Sequence, residues 1–482
     1  MSSFLAGAAT VLAFAPVGLF PLAAATFAYL IHLWMQAPPR LCFWRGFWFG
    51  FGLYLAGVSW VYVSLHTFGG MPLQLAGIAT VGYCAFLALF PAAAGWLQAR
   101  IPASNWVRAC LLIPSAWVLF EWTLDWIFTG FPWMAIGYAS VGWPLQGYAP
   151  LGGVYLLTFA TLALAGLLWL LVHGPRKAEC VMVIVGIVGV GQALHAVQWT
   201  RPSGEPINAA LLQGNIEQEM KFNPQRYAGI FDSYARLAEG TGAKLIVLPE
   251  TALPRFYHRI HPAELARLEA AARSNGGDLL LGVPYAQGED YYNSVLTLGV
   301  SPQQSYHKRH LVPFGEFIPP GFGWVLEILH IPMSDFGRGS ALQPPLAVAG
   351  QRVAVNICYE DVFGAELIPS AREATLLVNV TNDAWYGRSI AARQHNQIGA
   401  MRALETGRPM LRATNTGITS AIAHDGRVLA ELPWFVRGIL EVEIAGREGD
   451  TPYMRFGDIP ALVLACAVLL GAGFATRRRR AH

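Results

Sequence analysis

Charge is scarce in this chain. Only 13% of its 482 residues are Asp, Glu, Lys or Arg, against about 25% in an ordinary soluble protein. The deficit is concentrated in residues 1–198 and 456–476, where apolar runs approach or exceed the length that spans a bilayer. So many runs with so little charge between them exclude the buried core helices of one large soluble fold. Metal patterns are also missing. There is no CxxC, no HExxH and no clustered His and Asp set, so no metal is expected. No glycine-rich loop follows a strand to cradle a phosphate, so no cofactor is expected either; glycine spacing in the apolar runs reads as helix packing. The cysteines at 42, 84, 110, 180 and 466 fall in or beside very apolar stretches. Cys358 stands alone in the one large polar region, without a disulfide partner there. The N-terminus has no basic segment of the kind that opens a cleavable signal.

The apolar runs read as eight spans, near 3–14, 17–36, 43–65, 72–98, 107–127, 149–172, 178–198 and 456–476. Arg40 and Arg45 follow the second, Arg100 and Arg108 separate the fourth and fifth, and Arg176 and Lys177 separate the sixth and seventh. The arginines at 477–480 follow the last. The alternate loops, around 65–71 and 128–148, hold no Lys or Arg. Basic residues mark the cytoplasmic side, so both termini are expected inside and residues 199–455 outside. The terminal arginines, directly after a span, read as a membrane anchor, and no nucleic acid is expected. Three parts follow: a seven-span bundle over 1–198, a polar domain over 199–455, and a final span with a basic tail over 456–482. Glu121 and Asp125, near the outer end of span five, are either functional or solvated at the interface.

The polar part is long enough for a complete domain. Strands are expected at 207–213, 244–250, 278–283, 293–298, 353–358, 374–380, 410–413, 418–423 and 439–444, with helices at 225–239, 262–274 and 391–405. Alternation early and short strands late predict an α/β layered sandwich with a largely buried sheet. Glu250 and Cys358 each close an apolar strand. Ligand crevices in such sheets lie beyond the carboxyl ends of strands, so parallel neighbours would aim the acid and the thiol into one pocket. Between them lies the basic segment 306–310 with Lys308, whose ammonium would favour a thiolate or an oxyanion. On its own, a lone thiol is more often a small buried apolar residue.

Three segments, LPE at 248–250, HKRHLVPFGE at 307–316 and ICYE at 357–360, resemble the carbon–nitrogen hydrolase (nitrilase) superfamily, whose Glu, Lys and Cys occur in this order. Within it, the membrane-spanning half and the segment 313–317 look like the apolipoprotein N-acyltransferase family, as do NVTNDAWYG at 379–387 and RATNTGIT at 412–419. The similarity covers essentially the whole chain. One departure is Phe222 after Lys221, where relatives commonly carry Trp.

The resemblance implies a nitrilase-like αββα sandwich inserted between the seven-helix bundle and the last span. It implies a monomeric enzyme of the bacterial inner membrane, its catalytic domain periplasmic, that performs the last step of lipoprotein maturation. An acyl chain would move from a phospholipid to the α-amino group of a diacylglyceryl-cysteine apolipoprotein, through a thioester on Cys358. Glu250 would be the base and Lys308 the oxyanion partner. Glu316, Tyr359, Glu360 and Asn293 would support them, Tyr359 and Glu360 either beside an oxyanion donor or simply capping a turn. Phe317, Trp324, Leu326 and Trp385 are candidates for an apolar lid or substrate contact. A Cys–His pair using His307, His310 or His395 is the competing mechanism. An amidase or nitrilase acting on a small amide, and a transporter with an outer binding domain, are the competing functions.

Overall fold

Apolar runs in the first part of the chain become helices, and the β-branched runs of the polar part become two sheets. The computed structural model describes residues 1–319, 321 and 335–481, with side chains through 475. Two units divide the chain: one comprises Met1–Tyr62, Leu73–Gln198 and Thr451–His482, the other Val63–Pro72 and Trp199–Asp450.

In the helical unit, four helices among the described residues are long and apolar enough to cross a membrane: Pro39–Val58, Leu73–Arg100, Pro144–His173 and Lys177–His195. Ser2–Ala13, Phe20–Met35 and Ile459–Ala475 are apolar but shorter. The expected span at 107–127 is broken into Asn105–Val107, a wide π turn at Arg108–Leu112, and Ile113–Thr123. Pro114 accounts for the break: its ring would meet the carbonyl of Cys110 in a regular α-helix, and the wider turn moves that carbonyl away. Close packing depends on missing side chains. A Cβ on Gly7 would strike the backbone of Phe49, and one on Gly52 the backbone of Phe4, so these two helices touch main chain to main chain. Glu121 is buried, not solvated. It accepts from Trp117 Nε1 at 3.2 Å, Ile136 N at 2.9 Å and Thr158 Oγ1 at 2.6 Å, which ties three segments together.

Among the described residues, the second unit carries twelve strands: β1 (Arg201–Gln213), β2 (Leu245–Val247), β3 (Asp278–Gln287), β4 (Asp290–Gly299), β5 (Ser305–His307), β6 (Leu346–Val348), β7 (Gln351–Ile357), β8 (Leu376–Thr381), β9 (Met410–Thr414), β10 (Ser420–Ile422), β11 (Val428–Glu431) and β12 (Gly438–Glu448). They form two six-stranded sheets, ordered β12-β1-β2-β3-β4-β5 and β11-β10-β9-β8-β7-β6. Each sheet has a parallel centre, β1-β2-β3 in one and β7-β8-β9 in the other, flanked by antiparallel strands. The sheets face each other, β1 against β9 and β4 against β7. Helices Tyr227–Glu239 and Pro262–Ser274 cover the first sheet, and Gly364–Glu373 and Ala391–Thr406 the second. Parallel strands buried on both faces read as continuous apolar runs, and Leu245, Ile246 and Val247 are fully buried.

One expectation needs correction. The strands that carry Glu250 and Cys358 are not neighbours in one sheet: β2 lies in the first and β7 in the second. Their carboxyl ends converge across the sandwich, because short buried strands specify parallel pairing without specifying a partner.

Helix Ala391–Thr406 is buried along nearly its whole length despite its polar composition. It ends on Gly407 at φ 61°, where a side chain would strain the left-handed turn. Arg402 and Glu405, both buried, pair at 3.0 Å inside it. Removing one partner of such a pair leaves a buried charge and costs about 3–5 kcal/mol. Glu405→Ala is therefore expected to lower the melting temperature sharply, and a wild-type melting curve would contradict the pairing argument.

Candidate active site

Cys358 sits on the first residue after β7, at φ +53°. A non-glycine residue there is strained and persists only where its surroundings hold it. Three groups do so. The Glu360 carboxylate accepts from Ile357 N at 2.6 Å. Asn379 Nδ2 donates to the Cys358 carbonyl at 3.1 Å, and His395 Nε2 lies 3.3 Å from the same oxygen. The bend turns the thiol out of the sheet, with its residue only 7% exposed.

Glu250 follows β2 through Leu248 and Pro249. Its Oε1 accepts from Asn293 Nδ2 at 2.6 Å and lies 3.5 Å from Lys308 Nζ. Its Oε2 accepts from the Asn382 backbone N–H at 2.9 Å, so the residue after β8 completes the grip from the second sheet. Three donors thus converge on one carboxyl group. Lys308 follows β5 and donates its backbone N–H to the Asn293 carbonyl at 2.8 Å. Its ammonium lies 2.8 Å from Glu316, whose Oε1 also takes Asn293 Nδ2 at 3.0 Å and whose Oε2 takes Val312 N at 2.9 Å. Burial opposes the Lys308 charge, but Glu316 and Glu250 override it and hold the ammonium above its ordinary value. Cys358 is raised as well, which for a thiol disfavours the charged form. Burial first and the Glu250 carboxylate second raise it well above an ordinary thiol, while Lys308 draws it down. Burial therefore favours the neutral thiol at rest.

Glu360 works as a clamp. It accepts from Tyr306 Oη and from the backbone of Arg309, His310 and Ile357, between 2.6 and 3.1 Å, and so ties the lysine segment to the cysteine turn. Tyr359 is buried edge-on against Phe363 at 5.1 Å. Each of the three histidines has a polar partner other than the sulfur. His307 Nδ1 meets Ser294 Oγ at 2.7 Å, and His310 Nδ1 meets Glu366 at 3.2 Å while its ring stacks on Phe363. His395 is fully buried, with Nε2 2.8 Å from Asp361 and Nδ1 2.9 Å from Asp383, and Arg412 pairs with Asp361 behind it.

Among the apolar candidates, Phe317 lies under Arg338, 4.8 Å from the guanidinium carbon. Trp385 meets Phe68 edge-on at 6.0 Å, and its carbonyl accepts from Ser64 Oγ at 2.8 Å. The segment Val63–Pro72 thus belongs with the sandwich. Trp324 and Leu326 lie outside the described residues. Sequence reasoning missed Asn382, whose contribution is a backbone N–H, and the buried set of His395, Asp361 and Arg412. It also gave no role to Lys221, whose Nζ donates to the Glu250 carbonyl at 3.0 Å.

A two-sheet α/β sandwich that gathers these groups at its strand ends has the architecture of the carbon-nitrogen hydrolases, and the chain matches that family over residues 208–453. Residues 6–167 match the apolipoprotein N-acyltransferase N-terminal domain. The chain is 47% identical to the apolipoprotein N-acyltransferase of Nitrosomonas europaea, covering 99% of this chain and 98% of that one. It is 45% identical to the enzyme of the same name from Methylococcus capsulatus, covering 97% and 94%. For that of Chromobacterium violaceum the figures are 44%, 98% and 92%. The chain belongs to the apolipoprotein N-acyltransferase family, bacterial membrane acyltransferases built on the nitrilase superfamily fold.

The buried His395 yields a pH test. Burial disfavours its charge, but Asp361 and Asp383 outweigh both burial and Arg412, so its pKa rises to about 9. A raised histidine stabilises the fold fully below its unfolded value of about 6.5. That stabilisation is lost as pH climbs through about 9. By linkage the loss is roughly 3 kcal/mol. Melting temperature measured from pH 6.5 to 9.5 should fall in the wild type and lie lower but flatter in His395→Gln; parallel curves would contradict the assignment.

Proposed function

We propose that this chain transfers a fatty acyl chain from a membrane phospholipid to the α-amino group of a diacylglyceryl-cysteine apolipoprotein, by a ping-pong route through a Cys358 thioester. The observation that carries the reading is the convergence of Glu250 and Lys308 on a buried thiol in a chain related over its whole length to enzymes of that name. In the first half-reaction Glu250 takes the thiol proton as sulfur attacks the acyl ester carbon. Lys308 stabilises the resulting oxyanion. Collapse expels the glycerol alkoxide, which takes the proton back from Glu250 and leaves as lysophospholipid. In the second, Glu250 deprotonates the incoming amine, whose ordinary pKa of about 8 leaves it partly protonated. The amine attacks the thioester, Lys308 again meets the oxyanion, and the sulfur departs and is reprotonated.

Burial supports transfer over hydrolysis, since the thioester must outlast the wait for the amine. Cys358 and Glu250 are each 7% exposed and Lys308 1%, so water competes poorly at the acyl carbon. Glu316 and Asn293 position Lys308 and Glu250, Glu360 fixes the turn, and Phe317 and Trp385 are the described apolar residues proposed to meet acyl chain. The same reading puts the chain in the bacterial inner membrane as a monomer with eight spans, its termini cytoplasmic and its 199–455 domain periplasmic. Charge placement and the apolar helices support that topology.

Incubation with a phospholipid radiolabelled in its acyl chain should give a hydroxylamine-labile adduct on Cys358, which a diacylated lipopeptide then discharges as an amide. Cys358→Ala should give neither. Glu250→Gln should slow both half-reactions by at least about 10²-fold, and Lys308→Met by about 10²–10³-fold. Ammonia release from a small amide without any acyl adduct would instead indicate a hydrolase.

A further inference from the structure

We propose that Lys221 supplies the positive charge that compensates the Cys358 sulfur when it becomes a thiolate. This rests on Cys358 being the nucleophile. The charges already described leave a gap. Lys308 is one cation between two carboxylates, 2.8 Å from Glu316 and 3.5 Å from Glu250. When Glu250 takes the thiol proton, its negative charge only moves to sulfur, so Lys308, Glu250, Glu316 and Cys358 together keep an excess of one negative charge throughout. An uncompensated charge in a buried site is costly.

Lys221 is placed to fill that gap. It ends the short helix Gln218–Lys221 and is 2% exposed. Among the described residues no carboxylate lies within ion-pair distance of its ammonium. It donates to the backbone carbonyl of Glu250 at 3.0 Å, so it is anchored to the base without neutralising it. An ammonium has three donors, and a single carbonyl uses one. The same helix is fixed from its other end: Gln218 Oε1 accepts from Asn382 Nδ2 at 2.8 Å, and Asn382 N–H holds the Glu250 carboxylate. The cation therefore stands beside the base whose charge passes to the sulfur.

The ionisation of Lys221 fits this task. Burial lowers it to about 8, while Glu250 and the Cys358 sulfur act upward. At pH 7 it is mostly charged, and a thiolate nearby draws its proton in more firmly. A lysine fully paired with a carboxylate would respond less, since its field is already cancelled. Thiolate and ammonium then titrate as one coupled pair.

The test reads Cys358 alone, by mass spectrometry of its peptide after iodoacetamide treatment of the full chain from pH 6 to 10. Lys221→Gln keeps a donor for the Glu250 carbonyl and removes the charge. It should slow alkylation at pH 7 at least tenfold, raise the midpoint of the profile by a pH unit or more, and slow thioester formation in parallel. Lys221→Arg should return the rate to within threefold of wild type. A Lys221→Gln profile that overlays the wild type overturns the proposal. So does a folded Lys221→Arg as slow as Lys221→Gln, since anchoring rather than charge would then be at issue. Should Lys221→Gln fail to melt cooperatively, Lys221→Met is read in the same way. Wild-type enzyme that forms no acyl adduct on Cys358 would sink the acyl-transfer reading itself; an adduct formed equally well without the Lys221 charge sinks only this inference.

Discussion

An ammonium that is 1% exposed has to be met by negative charge, and at Lys308 the fold answers with two carboxylates. That requirement organises the sandwich around it. Glu316 reaches the ammonium because the turn at 312–316 closes on itself, its backbone N–H and side chain both engaging Val312. Glu250 reaches it from the end of β2. Asn293 on β4 sits between them, its amide donating to both carboxylates and its carbonyl taking the Lys308 backbone N–H. Two like charges so near each other would repel without a cation between them. The lysine and the asparagine therefore hold the acids in place as much as the acids hold the lysine.

The second constraint is the bend at Cys358. A cysteine at φ +53° does not stay there unaided, and every group that steadies it has a second attachment. Glu360 grips Ile357 and also the backbone of Arg309 and His310, which fixes the distance between the Cys358 turn and the lysine segment. His395 touches the Cys358 carbonyl while lying between Asp361 and Asp383. The buried set balances in sign, with two acids against His395 and Arg412, which makes its burial tolerable. A strained cysteine turn is thus carried by a polar cluster gathered around its backbone.

The parts visible in the sequence were those with a local signature. Glu250 and Cys358 close runs of buried β-branched or aliphatic residues, and the apolar period marked helices Tyr227–Glu239 and Pro262–Ser274. Which sheet each parallel strand joins was not visible. A three-residue strand such as β2, buried on every side, carries no pattern that names its neighbour. Helix Gly364–Glu373 escaped notice because Pro369 lies inside it, and β6 and β11 because edge strands of three and four residues are too short to alternate. The spans at 43–65 and 107–127 were drawn too long or too regular, since apolarity continues through the turns that break them. Lys221 had no signature at all. A lysine on a four-residue helix reads as solvated, and only the fold buries it.

Burial also bears on why a nitrilase-type site would suit acyl transfer between lipids. A thiol raised by burial is a poor nucleophile at rest, so on the proposed route sulfur would be activated only while a base takes its proton. The same burial that suppresses the idle thiolate would, on the proposed route, keep water from the thioester. Lowering the thiol by exposing it would gain reactivity and lose that protection together. A site that must react with an ester and then wait for an amine does better to keep the sulfur buried and to supply its charge from fixed cations. Lys308 and its two carboxylates meet part of that need. What remains on the proposed route is one positive charge, and the buried Lys221, held on the carbonyl of Glu250, is the group proposed to provide it.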